Sequence, residues 1–251
     1  MSNKTKKYLY RVVTIICLSV FIFAAYRLID TAIDYYKNGK VINSIQETFY
    51  GVEEVESNDE PHSIRAGFDM LQKENDELVG WITMAGTQID YPILKADNNV
   101  DYLKRDFYKE TNIAGSIFMD YRNSVESPGR NTIVYGHRMK DGSMFEQLTK
   151  YQDPEFLESH QTFEFDTLYD SYEAEIFAVY ITKTEFDYIQ TDFEDDAEYE
   201  QLLTQIQEES MFETDVEVTA DDHILTLSTC DYQLDPNDGR LVIQAKLVKK
   251  E

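Results

Sequence analysis

The chain predicts a mainly β fold with helical pieces, a closed barrel or a sandwich of about eight short strands, on three observations. First, alternating or continuous apolar runs bounded by turn residues recur as TQIDYPIL (87–94), GSIFMD (115–120), NTIVYGH (131–137), QTFEFDTL (161–168), SYEAEIFAVYIT (171–182), DVEVT (215–219), HILTLSTC (223–230) and RLVIQAKLV (240–248). That series suits an all-β architecture more than a βαβ array. Second, helical periods interrupt it only twice, at MFEQLTKY after residue 143 and at residues 195–212, where Tyr199, Leu202, Leu203 and Ile206 share one face. Third, 251 residues with 42% hydrophobic and 13% aromatic content allow one folded domain plus an extension and argue against disorder.

The extension is N-terminal. MSNKTKKYLYR carries Lys4, Lys6, Lys7 and Arg11, and VVTIICLSVFIFAAY (12–26) follows without a charge. With Leu9, Tyr10, Leu28 and Ile29 at its flanks, this apolar stretch reaches the roughly 20 residues a helix needs to cross a bilayer. A cleaved signal peptide has the same layout, but Ala24 and Ala25 run straight into Tyr26 and Arg27 and offer no small-residue cleavage site, so an uncleaved anchor is expected. The basic flank stays in the cytoplasm by the positive-inside rule, which puts the remainder outside a single-pass plasma-membrane anchor. Residues 1–29 are thus read as flank and anchor, 30–62 as a juxtamembrane stalk, and 63–251 as the extracytoplasmic domain. Within the stalk YYKNGKVINSIQETF has helical character and VEEVESNDEP is an acidic linker; beyond it, Ile64, Phe68, Leu71 and Leu78 predict an amphipathic helix ending before Gly80.

Charge divides the chain at the same place. Residues 1–29 hold five of the 23 Lys and Arg and none of the 48 Asp and Glu, leaving a net charge of −30 on residues 30–251. Such a surface repels nucleic acid and favours solubility. The sequence DPNDG, with Asp235, Asn237 and Asp238, departs from an EF-hand loop in spacing and reads as a turn. The acidic run FEDDAEYE (193–200) suits a helix N-terminus.

Cys17 lies in the apolar segment, so Cys230 has no disulfide partner in its own domain. A lone exported cysteine is a reactive thiol, half of an intermolecular bridge, or a small buried hydrophobe. As a nucleophile it needs a base or counter-cation and donors for an oxyanion. His137 ends an apolar strand at a rim and is the best placed histidine. His223 opens the strand of Cys230 but stands roughly 23 Å from it along an extended chain, His62 is in the linker and His160 in a polar turn. Arg240, ten residues after Cys230, comes beside the thiol if CDYQLDPNDG connects a hairpin; its fork of fixed donors suits an oxyanion, and the alternative is a strand-end charge facing water.

TLSTC (226–230), Arg240 and YGHRM (135–139), with the N-terminal anchor, resemble the sortases, membrane-anchored cysteine transpeptidases of Gram-positive bacteria, over about residues 64–248. Class B is the nearest match, having an N-terminal helical segment and a long helix between the sixth and seventh strands. The resemblance implies a closed eight-stranded sortase-type barrel in which Cys230 attacks the Thr carbonyl of a C-terminal sorting signal, His137 serves as acid and base, and Arg240 steadies the oxyanion or the substrate. A peptidoglycan or lipid-linked precursor amine then resolves the thioester, without a cofactor, and attaches the secreted protein to the cell wall. By the same resemblance the signal lies near Asn99, Leu103, Thr184, Tyr188, Ile189 and Ser228. The competing functions are a pilin-polymerising sortase, a cysteine protease using water, and a non-catalytic anchored binding module in which Cys230 only packs.

Overall fold

The computed structural model describes residues 3–51, 64–183, 185–231, 234–235 and 238–250. It falls into two compact units, Met1–Lys40 and Val41–Glu251. A helix, α1 (Asn3–Tyr50), runs through the first unit and ends in the second. It is long and apolar enough to cross a membrane, by length and composition. The side chains of Val13, Ile15, Ile16, Leu18, Val20, Phe21, Ile22 and Phe23 are exposed.

The second unit is a closed barrel of eight strands: β1 (Leu78–Thr83), β2 (Asp90–Leu94), β3 (Ile117–Met119), β4 (Asn131–Tyr135), β5 (Thr162–Thr167), β6 (Ser171–Lys183), β7 (Ile224–Cys230) and β8 (Gly239–Lys249). Their order around the barrel is β1-β2-β3-β4-β7-β8-β6-β5, with β2–β3 and β4–β7 parallel and the other neighbours antiparallel. Closure removes the unpaired edges that an open sheet would present. The barrel interior is packed by inward residues of alternating strands, among them Ile82, Ile93, Phe165, Val179, Leu227 and Ile243. In β6 the alternation slips once, at a bulge between Ile176 and Ala178. Tyr172, Ala174 and Ile176 therefore point inward before it, and Val179 after it.

Two outer layers cover apolar patches that the alternation leaves on the outside. The last turns of α1 and the helix α2 (Ala66–Gln72) place Ile45, Phe49, Phe68 and Leu71 against Trp81, Leu94 and Phe118, with the Phe49 ring stacked on Trp81 at 4.0 Å. Residues 41–50, read from sequence as stalk, thus pack on the barrel. Asp90 fastens the same contact, its Oδ1 accepting from the Trp81 indole at 2.6 Å and the Tyr50 hydroxyl at 2.7 Å. On the opposite side α4 (Asp196–Glu209) sits between β6 and β7 in the chain and buries Tyr199, Leu202, Leu203 and Ile206 on Ala178, Tyr180, Ile224 and Val242. Asp195 caps it, accepting from the Glu198 N–H at 2.9 Å, and Asp196 and Glu198 occupy its first turn.

Two element expectations are corrected. The amphipathic helix from Ser63 stops at Gln72 and does not reach Val79, because Leu78 to Thr83 pair with β2 and β5 as β1. Asn75 makes the break: its amide donates to the Phe107 carbonyl at 2.7 Å and its Oδ1 accepts from the Glu77 N–H at 3.0 Å. DVEVT (215–219) is not a strand; Val216 and Val218 pack against the α4 layer without entering the barrel ladder. The unit also holds a short helix, α3 (Pro154–Ser159), and two 3-10 stretches, Asp101–Leu103 and Phe145–Gln152.

Candidate active site

The site is assembled on the outer face where β4 and β7 end and β8 begins. Along β7, Leu225 and Leu227 face the barrel interior, so Thr226, Ser228 and Cys230 face outward. Cys230 is the register partner of Arg240 across the antiparallel β7–β8 pair, as the expected hairpin required. Directly opposed residues on one face stand about 5 Å apart at Cβ. Both side chains are half-buried, and the Arg240 Nη1 donates to the Gly239 carbonyl at 2.8 Å.

His137 reaches the same place by a register that the sequence does not display. The parallel β4–β7 pair sets Tyr135 opposite Ser228, and the Gly136 N–H continues it to the Ser228 carbonyl at 3.3 Å. Both chains run the same way, so this register, carried two residues past its last pair, aligns His137 with Cys230. The His137 carbonyl accepts from the Phe145 N–H at 2.9 Å, which fixes the backbone. The ring Nε2 meets the Leu103 carbonyl at 2.8 Å; a carbonyl only accepts, so Nε2 carries the hydrogen of that bond. Gly136 is required by space: a Cβ there would meet Ile117 Cδ1 at 2.4 Å and Phe145 Cδ2 at 2.7 Å.

The other histidines stand apart. His223 Nδ1 bonds the Gly129 carbonyl at 3.0 Å at the start of β7, and His160 stacks on Phe156 at 4.2 Å. His62 lies outside the described residues. Cys17 and Cys230 are both free thiols. In the DPNDG turn the Asp238 N–H donates to Asp235 Oδ1 at 3.1 Å; Asn237 lies outside the described residues.

The remaining expected residues lie on three segments: Asn99, held by Asp120, and Leu103, whose carbonyl meets His137, on one; Tyr188 and Ile189 on a second; and Ser228 on β7. Thr184 lies outside the described residues. The Tyr188 hydroxyl bonds Ser228 Oγ at 2.9 Å. Burial pushes its phenol above the usual range; the Ser228 bond and the Arg240 charge oppose that rise and Cys230 adds to it, so the phenol stands within the field of both site residues. A sortase domain model matches residues 82–248 of the chain. Sortase B of Listeria monocytogenes is 40% identical over 98% of this chain and 100% of its own length.

The chain belongs to the sortase family.

The solved sortase structures agree. Sortase B of Bacillus anthracis in complex with AAEK1 is 51% identical with a TM-score of 0.79, covering 87% of this chain and 99% of that one. The Staphylococcus aureus sortase B–substrate complex is 37% identical with a TM-score of 0.79, covering 87% and 100%. This sortase is of class B, and its activity is that of a cysteine transpeptidase.

Several residues that shape the site of this sortase escaped the sequence reading. Asp120, whose side chain is fully buried, accepts from Arg122 Nε at 2.8 Å and Nη2 at 2.7 Å, from the Tyr135 hydroxyl at 2.9 Å and from Asn99 Nδ2 at 2.8 Å. Arg122 Nη2 also donates to the Ile189 carbonyl at 3.0 Å, so the Asp120–Arg122 pair ties the segment of Asn99 to that of Ile189. Beneath them Asn131 Nδ2 donates to the carbonyls of Tyr188 and Gln190 at 3.0 Å each, and its Oδ1 accepts from Thr226, which in turn accepts from Gln244. The signal available in the sequence was FMDYR (118–122), a carboxylate and a guanidinium two residues apart at the end of an apolar run.

Proposed function

We propose that Cys230, His137 and Arg240 carry the sortase reaction of this chain. The observation that supports it is the register: β8 sets Arg240 opposite Cys230, and the β4–β7 pairing, carried two residues past Tyr135 and Ser228, aligns His137 with Cys230. Cys230 passes its S–H proton to His137 and its Sγ attacks the carbonyl carbon of the signal's threonine, forming a C–S bond as the carbonyl becomes an oxyanion. Arg240, permanently charged and able to present several donors, steadies that oxyanion or the substrate carbonyl. The C–N bond then breaks, the leaving amine takes its proton from His137, and a thioester remains on Cys230. An incoming amine attacks the thioester, gives its proton to His137 and displaces the thiolate, restoring the enzyme with a new amide bond. Thioesters are reactive enough toward amines for one thiol to serve both halves, without metal or nucleotide.

The sorting signal lies against Asn99, Leu103, Thr184, Tyr188, Ile189 and Ser228. Its donors are secreted proteins bearing the signal, and the acceptor is an amine of peptidoglycan or of its lipid-linked precursor. Residues 1–29 anchor the enzyme as a single pass with the N-terminus in the cytoplasm, residues 30–62 form the juxtamembrane part, and 63–251 act outside the plasma membrane. The basic N-terminal flank, with Lys4, Lys6, Lys7 and Arg11 and no acid, supports that orientation.

Product analysis tests the reading. The full-length chain in detergent is incubated with a panel of sorting-signal peptides and an excess of a glycine peptide amine. A ligated product that vanishes in Cys230→Ala is expected. Hydrolysed peptide alone, with no amine adduct at any acceptor concentration, would make the enzyme a cysteine protease.

A further inference from the structure

The sequence places a charged residue directly after each of the two residues that exchange the proton and the acyl group: Arg138 after His137, and Asp231 after Cys230. The structure joins them, Arg138 Nη1 lying 3.1 Å from Asp231 Oδ2 with the Asp231 side chain fully buried and that of Arg138 22% exposed. Among the described residues, the last backbone bond between β4 and β7 is the one from the Gly136 N–H to the Ser228 carbonyl, and at 3.3 Å it is a long one. His137 and Cys230 lie beyond it, where the two chains part. Residues 138–144 turn back into an isolated antiparallel bridge between Arg138 and Met144, while the Asp231 N–H goes to the Gly239 carbonyl at 2.9 Å. The ladder that sets the register has ended where the register matters most. The ion pair is the contact that follows it, one residue past each member.

The same carboxylate also holds the start of the β7–β8 connection, its Oδ1 accepting from the Leu234 N–H at 3.4 Å. It is not what orients the imidazole, because His137 Nε2 is engaged by the Leu103 carbonyl. Three restraints thus bear on His137: the Leu103 carbonyl on its ring, the Phe145 N–H on its carbonyl, and the ion pair on the residue after it.

We propose that Arg138 and Asp231 are positioning residues, a staple that takes over from the end of the β4–β7 ladder and holds His137 against Cys230. The staple rests on the roles given above to Cys230 and His137, and its effect is on the coupling between them.

The test measures that coupling without requiring turnover. In the full-length chain in detergent, alkylation of Cys230 by iodoacetamide is followed by peptide mass, which separates it from Cys17, with and without His137→Ala. In the parent, His137→Ala slows alkylation about tenfold, the size expected when the base that takes the thiol's proton is lost. In Arg138→Met/Asp231→Asn the same substitution changes the rate less than about twofold, because the imidazole is no longer held against the thiol. With a threonine-containing sorting-signal peptide, kcat falls about tenfold in either single variant and no further in the double, while KM stays within about twofold, as for residues that act as one unit. Arg138→Lys recovers part of the loss. Replacing both partners by uncharged side chains avoids leaving a buried charge alone, so the double variant melts within a few degrees of the parent and the loss is not one of folding. Undiminished coupling between His137 and Cys230 in the double variant would overturn the staple. Coupling present in the parent and lost in the double variant, with no acyl-enzyme formed by the parent, would instead overturn the functional reading while supporting the staple.

Discussion

Replacing Asp120 by Asn removes the charge at the junction of the Asn99 and Ile189 segments while keeping the side chain's shape. In the parent this carboxylate is fully buried and accepts from both sides of the Arg122 fork, from Tyr135 and from Asn99. Removing one partner of a buried ion pair typically costs about 3–5 kcal/mol. Arg122 is 31% exposed, so water recovers part of its lost interaction and the expected cost falls to about 2–3 kcal/mol. For a unit of about 200 residues each kcal/mol lowers the melting temperature by about 2–4 °C, which gives a drop of about 4–12 °C. The functional effect follows from Arg122 Nη2, which holds the Ile189 carbonyl at the same time. Once the guanidinium is loosened, both segments lose their mutual restraint and KM for a sorting-signal peptide rises severalfold, with a smaller change in kcat. Thermal melting by circular dichroism and steady-state kinetics on the full-length chain read the two effects. A variant that melts within about 1 °C of the parent with an unchanged KM would refute the argument that this junction shapes the groove.

The pH dependence of the same group has a definite sign. Burial alone would raise the Asp120 carboxyl, but the donors on Arg122, Tyr135 and Asn99 outweigh it and hold it below the usual range. Its stabilisation is therefore whole above the ordinary carboxylate range of about 4 and is lost as pH falls through the lowered folded value. Urea midpoints should show the gap between parent and Asp120→Asn narrowing below about pH 4; a gap constant down to pH 2 would contradict this. Arg240→Lys keeps the charge but loses the fork, and kcat should fall at least about tenfold, near-normal turnover reducing Arg240 to a strand-end charge. Gly136→Ala drives a methyl into Ile117 and Phe145 and should cost about 1–3 kcal/mol in melting while slowing turnover, because the displaced residue precedes His137. Asp90→Ala strips the acceptor from Trp81 and Tyr50 and should make residues 41–50 cleavable by protease in the folded chain, which intact protection would contradict.

The parts of this molecule that were legible in the sequence are those that depend on local pattern. The strands from β2 to β8 and the helix α4 announced themselves by period, and the hairpin that sets Arg240 beside Cys230 followed from a turn-rich connection of suitable length. The first strand was hidden because Leu78 fits the helical spacing of Ile64, Phe68 and Leu71; only its pairing with β2 and β5 and the burial of Trp81 under α1 decide in favour of a strand. DVEVT misled for the converse reason. Alternation records which side chains are covered, and Val216 and Val218 are covered by the α4 layer without a ladder partner. The neighbourhood of His137 and Cys230 was inferred through family resemblance, since a parallel register between segments almost a hundred residues apart leaves no local trace. The Asp120 and Asp231 pairs were invisible for a related reason. Asp120 and Arg122 stand two residues apart and Arg138 and Asp231 93 apart, and neither spacing tells of burial, which is what turns an ordinary surface pair into a structural one.

The central claim is that Cys230 becomes acylated through the chemistry of its two neighbours. Intact-mass spectrometry of the full-length chain, incubated with sorting-signal peptides and no amine, tests it most directly. A mass gain equal to the peptide portion ending in threonine, absent in Cys230→Ala and strongly reduced in His137→Ala and Arg240→Lys, is the predicted result. An adduct that persists in Cys230→Ala would contradict the account.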